Sequence, residues 1–320
     1  MTAESATLSV RARESAAPDA LVRTISRSGA LAVKVVMASE LVGEALSLRP
    51  YAPTAGNALG RALMGALLIA AGSAPEDADE ANVESVQIQL RGDGPLGGVT
   101  AIADSRARVR GTVRHPGVEL VRDDGRPDIA GALGLGPLNV VRHRPRWRSP
   151  YTGTVPLVSG EIAGDLTLYL TESEQIPSAM GLGVSFGPGM RDVAACGFLV
   201  QVMPDATEED VARMEENVAG MPGLASLLEG PLDADQLIDR LLIGLDSRER
   251  QTTRPRFHCP CTRERARRTL SLLDPAEIAE MVSQGESQEI VCDFCGRAYE
   301  IAASEMRDVA KRAEAQEHPG

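Results

Sequence analysis

Four of the five cysteines in this chain stand in two close pairs, Cys259-Pro-Cys261 and Cys292-Asp-Phe-Cys295, with thirty residues between the pairs. Nothing else in the sequence restricts local folding so tightly. Zn²⁺ prefers four thiolates in a tetrahedron at about 2.3 Å, and two close pairs joined by a folded spacer supply that set. The segment carrying them, residues 255–320, is too small to hold itself together on apolar burial alone, so a metal is the expected staple. The spacing predicts a small C-terminal domain with one Zn²⁺ per chain, held by Cys259, Cys261, Cys292 and Cys295. Preformed disulfides are the other reading. The first twenty residues contain no apolar run resembling a signal sequence, so the expected location is cytoplasmic, where thiols stay reduced.

The surroundings of the first pair suggest a reactive site. Arg256, His258, Arg263, Arg265, Arg267 and Arg268 crowd it, and positive charge favours the thiolate that oxidants attack. Each close pair can also close into a disulfide without its distant partner. His258 adjoins Cys259, but four cysteines already complete a zinc shell. Cys196 lies in an apolar, strand-like stretch and reads as a buried, inert thiol.

Upstream, short strand-like runs between about Leu31 and Val202 alternate with a few helices and are punctuated by Gly, Pro and Asp turns. Strands are expected at Leu31 to Met37, Val86 to Leu90, Gly97 to Ala103 and Ala107 to Arg114. Others are expected at Val140 to Arg144, Tyr151 to Val158, Gly183 to Phe186 and Gly197 to Met203. Pro53 to Ala71 and about Ala163 to Ser173 read as helices, the first mostly buried. Strands grouped without regular βαβ alternation give an α+β class: a large N-terminal domain with antiparallel sheet and packed helices.

After Pro204 the composition changes. Asp205 to Asp246 carries eleven Asp or Glu against Arg213 and Arg240, whereas Ser247 to Arg268 carries eight Arg against Glu249 and Glu264. Within the acidic stretch Val211, Met214 and Val218, then Leu237, Ile238, Leu241, Leu242 and Leu245, recur at helical spacing, so it is an amphipathic linker that must lean on something. Its charge predicts docking against the Arg-rich approach to the cysteines. The expected domains are a flexible tail (1–20), an α+β core (21–204), an acidic helical linker (205–254) and the zinc-binding domain (255–320).

The cysteine spacing, the flanks Phe257 to Arg265 and Cys292 to Gly296, and the upstream segments Leu90-Arg-Gly-Asp-Gly-Pro95, Tyr151-Thr-Gly-Thr-Val155 and Gln201-Val-Met-Pro204 resemble the redox-regulated chaperones of the 33-kilodalton heat-shock protein family. The resemblance implies an ATP-independent holdase, inactive while the four thiolates bind zinc. It implies that oxidation releases zinc, forms Cys259–Cys261 and Cys292–Cys295 disulfides, unfolds the linker and yields a homodimer that binds unfolding client proteins.

Several signals are set aside. Arg91-Gly-Asp93 is expected to be a turn, and the neighbouring glycines lack the Gly-Lys-Ser/Thr of a nucleotide loop. His115, His143, His258 and His318 stand in no motif with a nucleophile, so no enzyme is expected. A net charge of −12 argues against general nucleic-acid binding, and no segment is long and apolar enough to cross a membrane. The alternative reading is a zinc-ribbon nucleic-acid adaptor using the arginines around Cys259.

Overall fold

The computed structural model describes residues 11–14, 16–71, 82–145 and 147–307. They divide into two compact units, the first ending at His258 and the second beginning at Cys259.

In chain order the first unit begins with β1 (Arg11–Ala12), β2 (Ala20–Ile25), β3 (Leu31–Met37), α1 (Ser39–Ser47) and α2 (Pro53–Ala70). There follow β4 (Ser85–Leu90), β5 (Val99–Asp104), β6 (Arg108–Val113), α3 (Ile129–Leu133), β7 (Pro137–His143) and β8 (Tyr151–Pro156). Next come α4 (Ala163–Glu172), β9 (Ser178–Phe186), β10 (Asp192–Val202), α5 (Glu208–Ala219), α6 (Leu224–Leu227), α7 (Ala234–Leu241), β11 (Gln251–Thr253) and β12 (Arg256–Phe257).

Two sheets result. One runs β1-β10-β3-β2-β11 with β9 also on β10, the other β12-β6-β5-β4-β7-β8, and among the described residues only the two-residue pairs β1·β10 and β12·β6 are parallel. The α+β class and the antiparallel sheets are those the strand grouping predicts. Strand residues alternate between a buried and a less buried face, as in β4 and β5.

Helix α2 packs on β5 and β6 of one sheet and on β9 and β10 of the other. Glycine permits the approach: a Cβ at Gly60 would meet Val184 Cγ2 on β9 at 2.9 Å. The last carbonyls of a helix lack intrahelical donors, and two cations meet them here. Lys34 Nζ donates to Leu68 O at 3.2 Å and Arg142 donates to Ile69 O at 3.5 Å. The Arg91-Gly-Asp93 turn is structural. Asp93 accepts from Leu135 N at 2.8 Å, and a Cβ at Gly92 would lie 1.8 Å from Leu133 O.

The acidic segment does lean on something. Met214, Leu224, Leu228, Leu232, Leu237, Ile238, Leu241 and Leu242 are buried with Val22, Val33, Val35, Met37, Phe198 and Val200, on the face of the first sheet opposite α2. Capping boxes at Thr207/Asp210 and Asp233/Gln236 start α5 and α7. Residues 205–254 therefore belong to the first compact unit, and so do Arg256 and Phe257, because β12 pairs with β6 and Phe257 packs on the core.

One further expectation needs correction, and one helix was not expected. Of the expected tail, residues 1–10 lie outside the described residues, but Arg11–Ala12 is strand and not tail: Arg11 N donates to Arg191 O and Arg13 N to Val193 O. Helix α1 has no local start signal, since its N-cap is Ala38. Asp19 caps it instead, its two oxygens accepting from Glu40 N at 2.9 Å and Leu41 N at 2.7 Å. Burial holds this carboxyl up, at about 6, against those two hydrogen bonds.

The second unit contains α8 (Arg263–Thr269), α9 (Pro275–Gln284), β13 (Gln288–Val291) and β14 (Ala298–Ile301), the two strands forming a hairpin. Its buried core is small: Leu270, Ile278, Ile301 and Met306. The helical spacing of Ala303 to Ala315 predicts a last helix; it is present over residues 303–307, and its remainder lies outside the described residues.

Candidate metal centre

The two cysteine pairs reach one point from opposite ends of the second unit. Cys259 and Cys261 stand just before α8, whose cap Thr262 accepts from Arg265 N at 3.2 Å. Cys292 and Cys295 sit in the turn of the β13–β14 hairpin, closed by Gly296 N donating to Cys292 O at 2.8 Å, with Gly296 at φ +69. A left-handed residue there is cheapest as glycine.

The four Sγ atoms lie within 4.8 Å of one another, with Cys259–Cys292 at 3.7 Å and Cys261–Cys295 at 3.4 Å. All four cysteines are free thiols, half-buried. A tetrahedron of Zn–S bonds of about 2.3 Å has S–S edges of about 3.8 Å, so the donor set and its spacing fit a four-thiolate metal ion. Sulfur alone makes up the set; neither His258 nor Cys196 is part of it.

Burial works against the Cys261 thiolate, but hydrogen bonds from Tyr299 and the neighbouring thiols outweigh it and bring the group down to about 7. Burial pushes Cys259 and Cys295 upward. Tyr299 Oη donates to Cys261 Sγ at 3.1 Å, a contact that cysteine spacing does not reveal. The arginines behave differently from the expectation. Arg263 pairs with Glu305 at 2.6 Å, Arg267 and Arg268 pair with Glu264, and Arg265 donates to Pro260 O. They tie the second unit together and are not what lowers Cys261. Of the predicted linker docking, one part is present: Arg250 pairs with Asp235 and Asp239.

Cys196 lies on β10, fully buried beside Met37, and burial lifts its thiol to about 12, as an inert thiol requires.

The family model described as Hsp33 protein matches residues 19–302. This chain belongs to the Hsp33 family. The 33 kDa chaperonin of Geobacter sulfurreducens is 38% identical over 295 residues, covering 92% of this chain and 95% of that protein. The 33 kDa chaperonin of Thermus thermophilus is 40% identical over 306 residues, covering 90% and 86%. The crystal structure of the 33 kDa chaperonin (heat shock protein 33 homolog) of Thermotoga maritima superposes with a TM-score of 0.82 at 32% identity, covering 92% of this chain and 99% of that one. These relatives are named as chaperonins and not as enzymes. Among the described residues no helix is long and apolar enough to cross a membrane.

In this Hsp33-family chain Tyr299 orients and polarises one of the four sulfurs from outside the donor set. Partners of that kind commonly change metal affinity by about 10–100-fold. Tyr299→Phe is therefore expected to weaken the affinity of the four-thiolate site for added Zn²⁺ about tenfold, measured by competition with a chromophoric chelator. Unchanged affinity would mean the hydroxyl contributes nothing to the site.

Proposed function

We propose that this chain is an ATP-independent holdase, switched by the oxidation state of Cys259, Cys261, Cys292 and Cys295, and acting in the cytoplasm. One Zn²⁺ per chain, held by the four thiolates, supplies the cross-link that the small buried cluster among the described residues of the second unit cannot. The observation that carries the reading is the convergence of four free thiols in a chain whose linker helices cover an apolar sheet face.

Oxidation proceeds pairwise. Each thiolate pair, Cys259 with Cys261 and Cys292 with Cys295, gives two electrons to one peroxide, which takes up two protons from solvent; one disulfide and two waters form, and the site is left without thiolate donors. The second unit then loses its staple. The segment that joins it to the linker is held by two short strand pairings, β11 on β2 and β12 on β6, by Arg254 on Glu40 and by Phe257 on the core. With that hold weakened, α5 to α7 come away. Val33, Val35, Met37, Phe198 and Val200 on the sheet, and Leu237, Ile238 and Leu241 on the linker, are then open to unfolding clients or to a second copy.

The test measures zinc content and suppression of aggregation of a heat-unfolded client, on one sample before and after peroxide with mild heat. About one zinc should be released per chain as holding activity appears. Zinc retained, with no activity gained, would sink the switch. Salt-sensitive RNA binding by the reduced protein would then favour the zinc-ribbon adaptor.

A further inference from the structure

Beside the β2–β11 junction lies a cleft of about 410 Å³. Lys34, one of only two lysines in the chain, lines it from β3. The walls carry Arg23 from β2 and Arg248 from the segment before β11, and Ile25, Ala32 and Ala71 give an apolar side. Glu249 is the acidic group on the wall. Lys34 Nζ is tethered to Leu68 O at 3.2 Å, so the amine is held in place and does not sweep through solvent.

We propose that Lys34 is a site of Nε-acylation by acyl phosphates, with the cleft's arginines recruiting the donor's phosphate and its apolar wall receiving the acyl group. The neutral amine nitrogen bonds to the acyl carbon. The bond from that carbon to the bridging oxygen breaks, and phosphate leaves with the electron pair and takes up the amine's proton. Arg23 donates to Gln251 Oε1 at 3.1 Å and Arg248 to Arg27 O at 3.2 Å, so each guanidinium is fixed at the wall, and a guanidinium presents several donors of the kind a phosphate dianion accepts from.

The amine is available for this chemistry near neutral pH. Burial lowers the Lys34 ammonium to about 8, assisted by Arg142 and Arg23 and opposed by Glu174. Glu249 and Arg248 on the wall complete the charged surroundings.

The experiment treats the reduced full-length chain with acetyl phosphate and follows Lys34 and Lys311 by peptide mass spectrometry from pH 7 to 9. Lys34 should react at least about tenfold faster than Lys311 at pH 7.5. Its rate should rise about fivefold from pH 7 to 8 and less than about twofold from pH 8 to 9, whereas an ordinary lysine rises about tenfold at each step. Inorganic phosphate should slow Lys34 and leave Lys311 unchanged. Arg248→Gln should slow acetylation by acetyl phosphate but not by a neutral N-hydroxysuccinimide ester, and that ester also checks that the variant is folded and its amine reachable. Equal rates at the two lysines, or a Lys34 rate indifferent to inorganic phosphate, overturns the proposal.

Discussion

Cys292→Ser, Cys295→Ser should bind less than about a tenth of a zinc ion per chain, and the amides of Gln288–Ile301 should then exchange with solvent at nearly unfolded rates. Two hard hydroxyls in place of two thiolates leave a site that Zn²⁺ does not favour. Structural zinc in small domains is worth about 10–16 kcal/mol of apparent binding energy that is also folding energy. The second unit has little to set against that loss, since the buried cluster among its described residues is Leu270, Ile278, Ile301 and Met306, with Ala266 also buried. Its surface ion pairs, such as Arg263–Glu305, contribute at most about 1 kcal/mol each. The first unit, with its own extensive core, should keep its exchange protection. Hydrogen exchange with mass spectrometry reads both units in one sample. Protection of the β13–β14 hairpin retained without metal would show that the second unit stands by itself, and the switch would lose its trigger.

Leu237→Ala, Leu241→Ala should act as a holdase while still reduced and loaded with zinc. Both side chains are fully buried where α7 packs on β3. Each truncation of a buried leucine costs about 2–5 kcal/mol. Helix α7 is only eight residues long and has no stability of its own to absorb such a loss. The linker should therefore come away while the sheets and α2 remain. The measurement is client aggregation without oxidant, paired with limited proteolysis, in which new cuts should fall within residues 205–254. Ile243→Ala is the control, since Ile243 is 60% exposed and should behave as the parent. Linker cleavage without holding activity would mean that the face under α7 is not where clients bind.

Much of this structure is written in short-range pattern. The strand expected at Leu31 to Met37 is β3 over those residues, because alternation between the two faces repeats every second position and needs no distant partner to be read. Helix α2 runs Pro53–Ala70 against an expected end at Ala71, for Pro opens it and glycine follows. The turn at Arg91 to Pro95 was legible from its glycines and proline, although what holds it, Leu133 and Leu135, lies about forty positions away. What escaped was set by contacts from afar. Helix α1 borrows its cap from Asp19, twenty-one residues before Glu40, and β2 was partly hidden in what looked like tail. The arginines near Cys259 illustrate the opposite error: nearness in sequence suggested that they act on the thiols, whereas three of them pair with Glu264 and Glu305.

The sequence by itself determined the set of four sulfur donors and the amphipathic character of the acidic segment, since both depend on spacings of one to four residues within each element. Tertiary structure alone decided that the linker helices cover the sheet face of Val33 and Val35, that Tyr299 donates to Cys261 across thirty-eight positions, and that Lys34 is sunk beside Leu68. Periodicity says which face of an element is apolar. Only strand register and helix packing choose which distant surface meets it, and on that meeting depend the burial and hydrogen bonds from which the chemistry of each site follows.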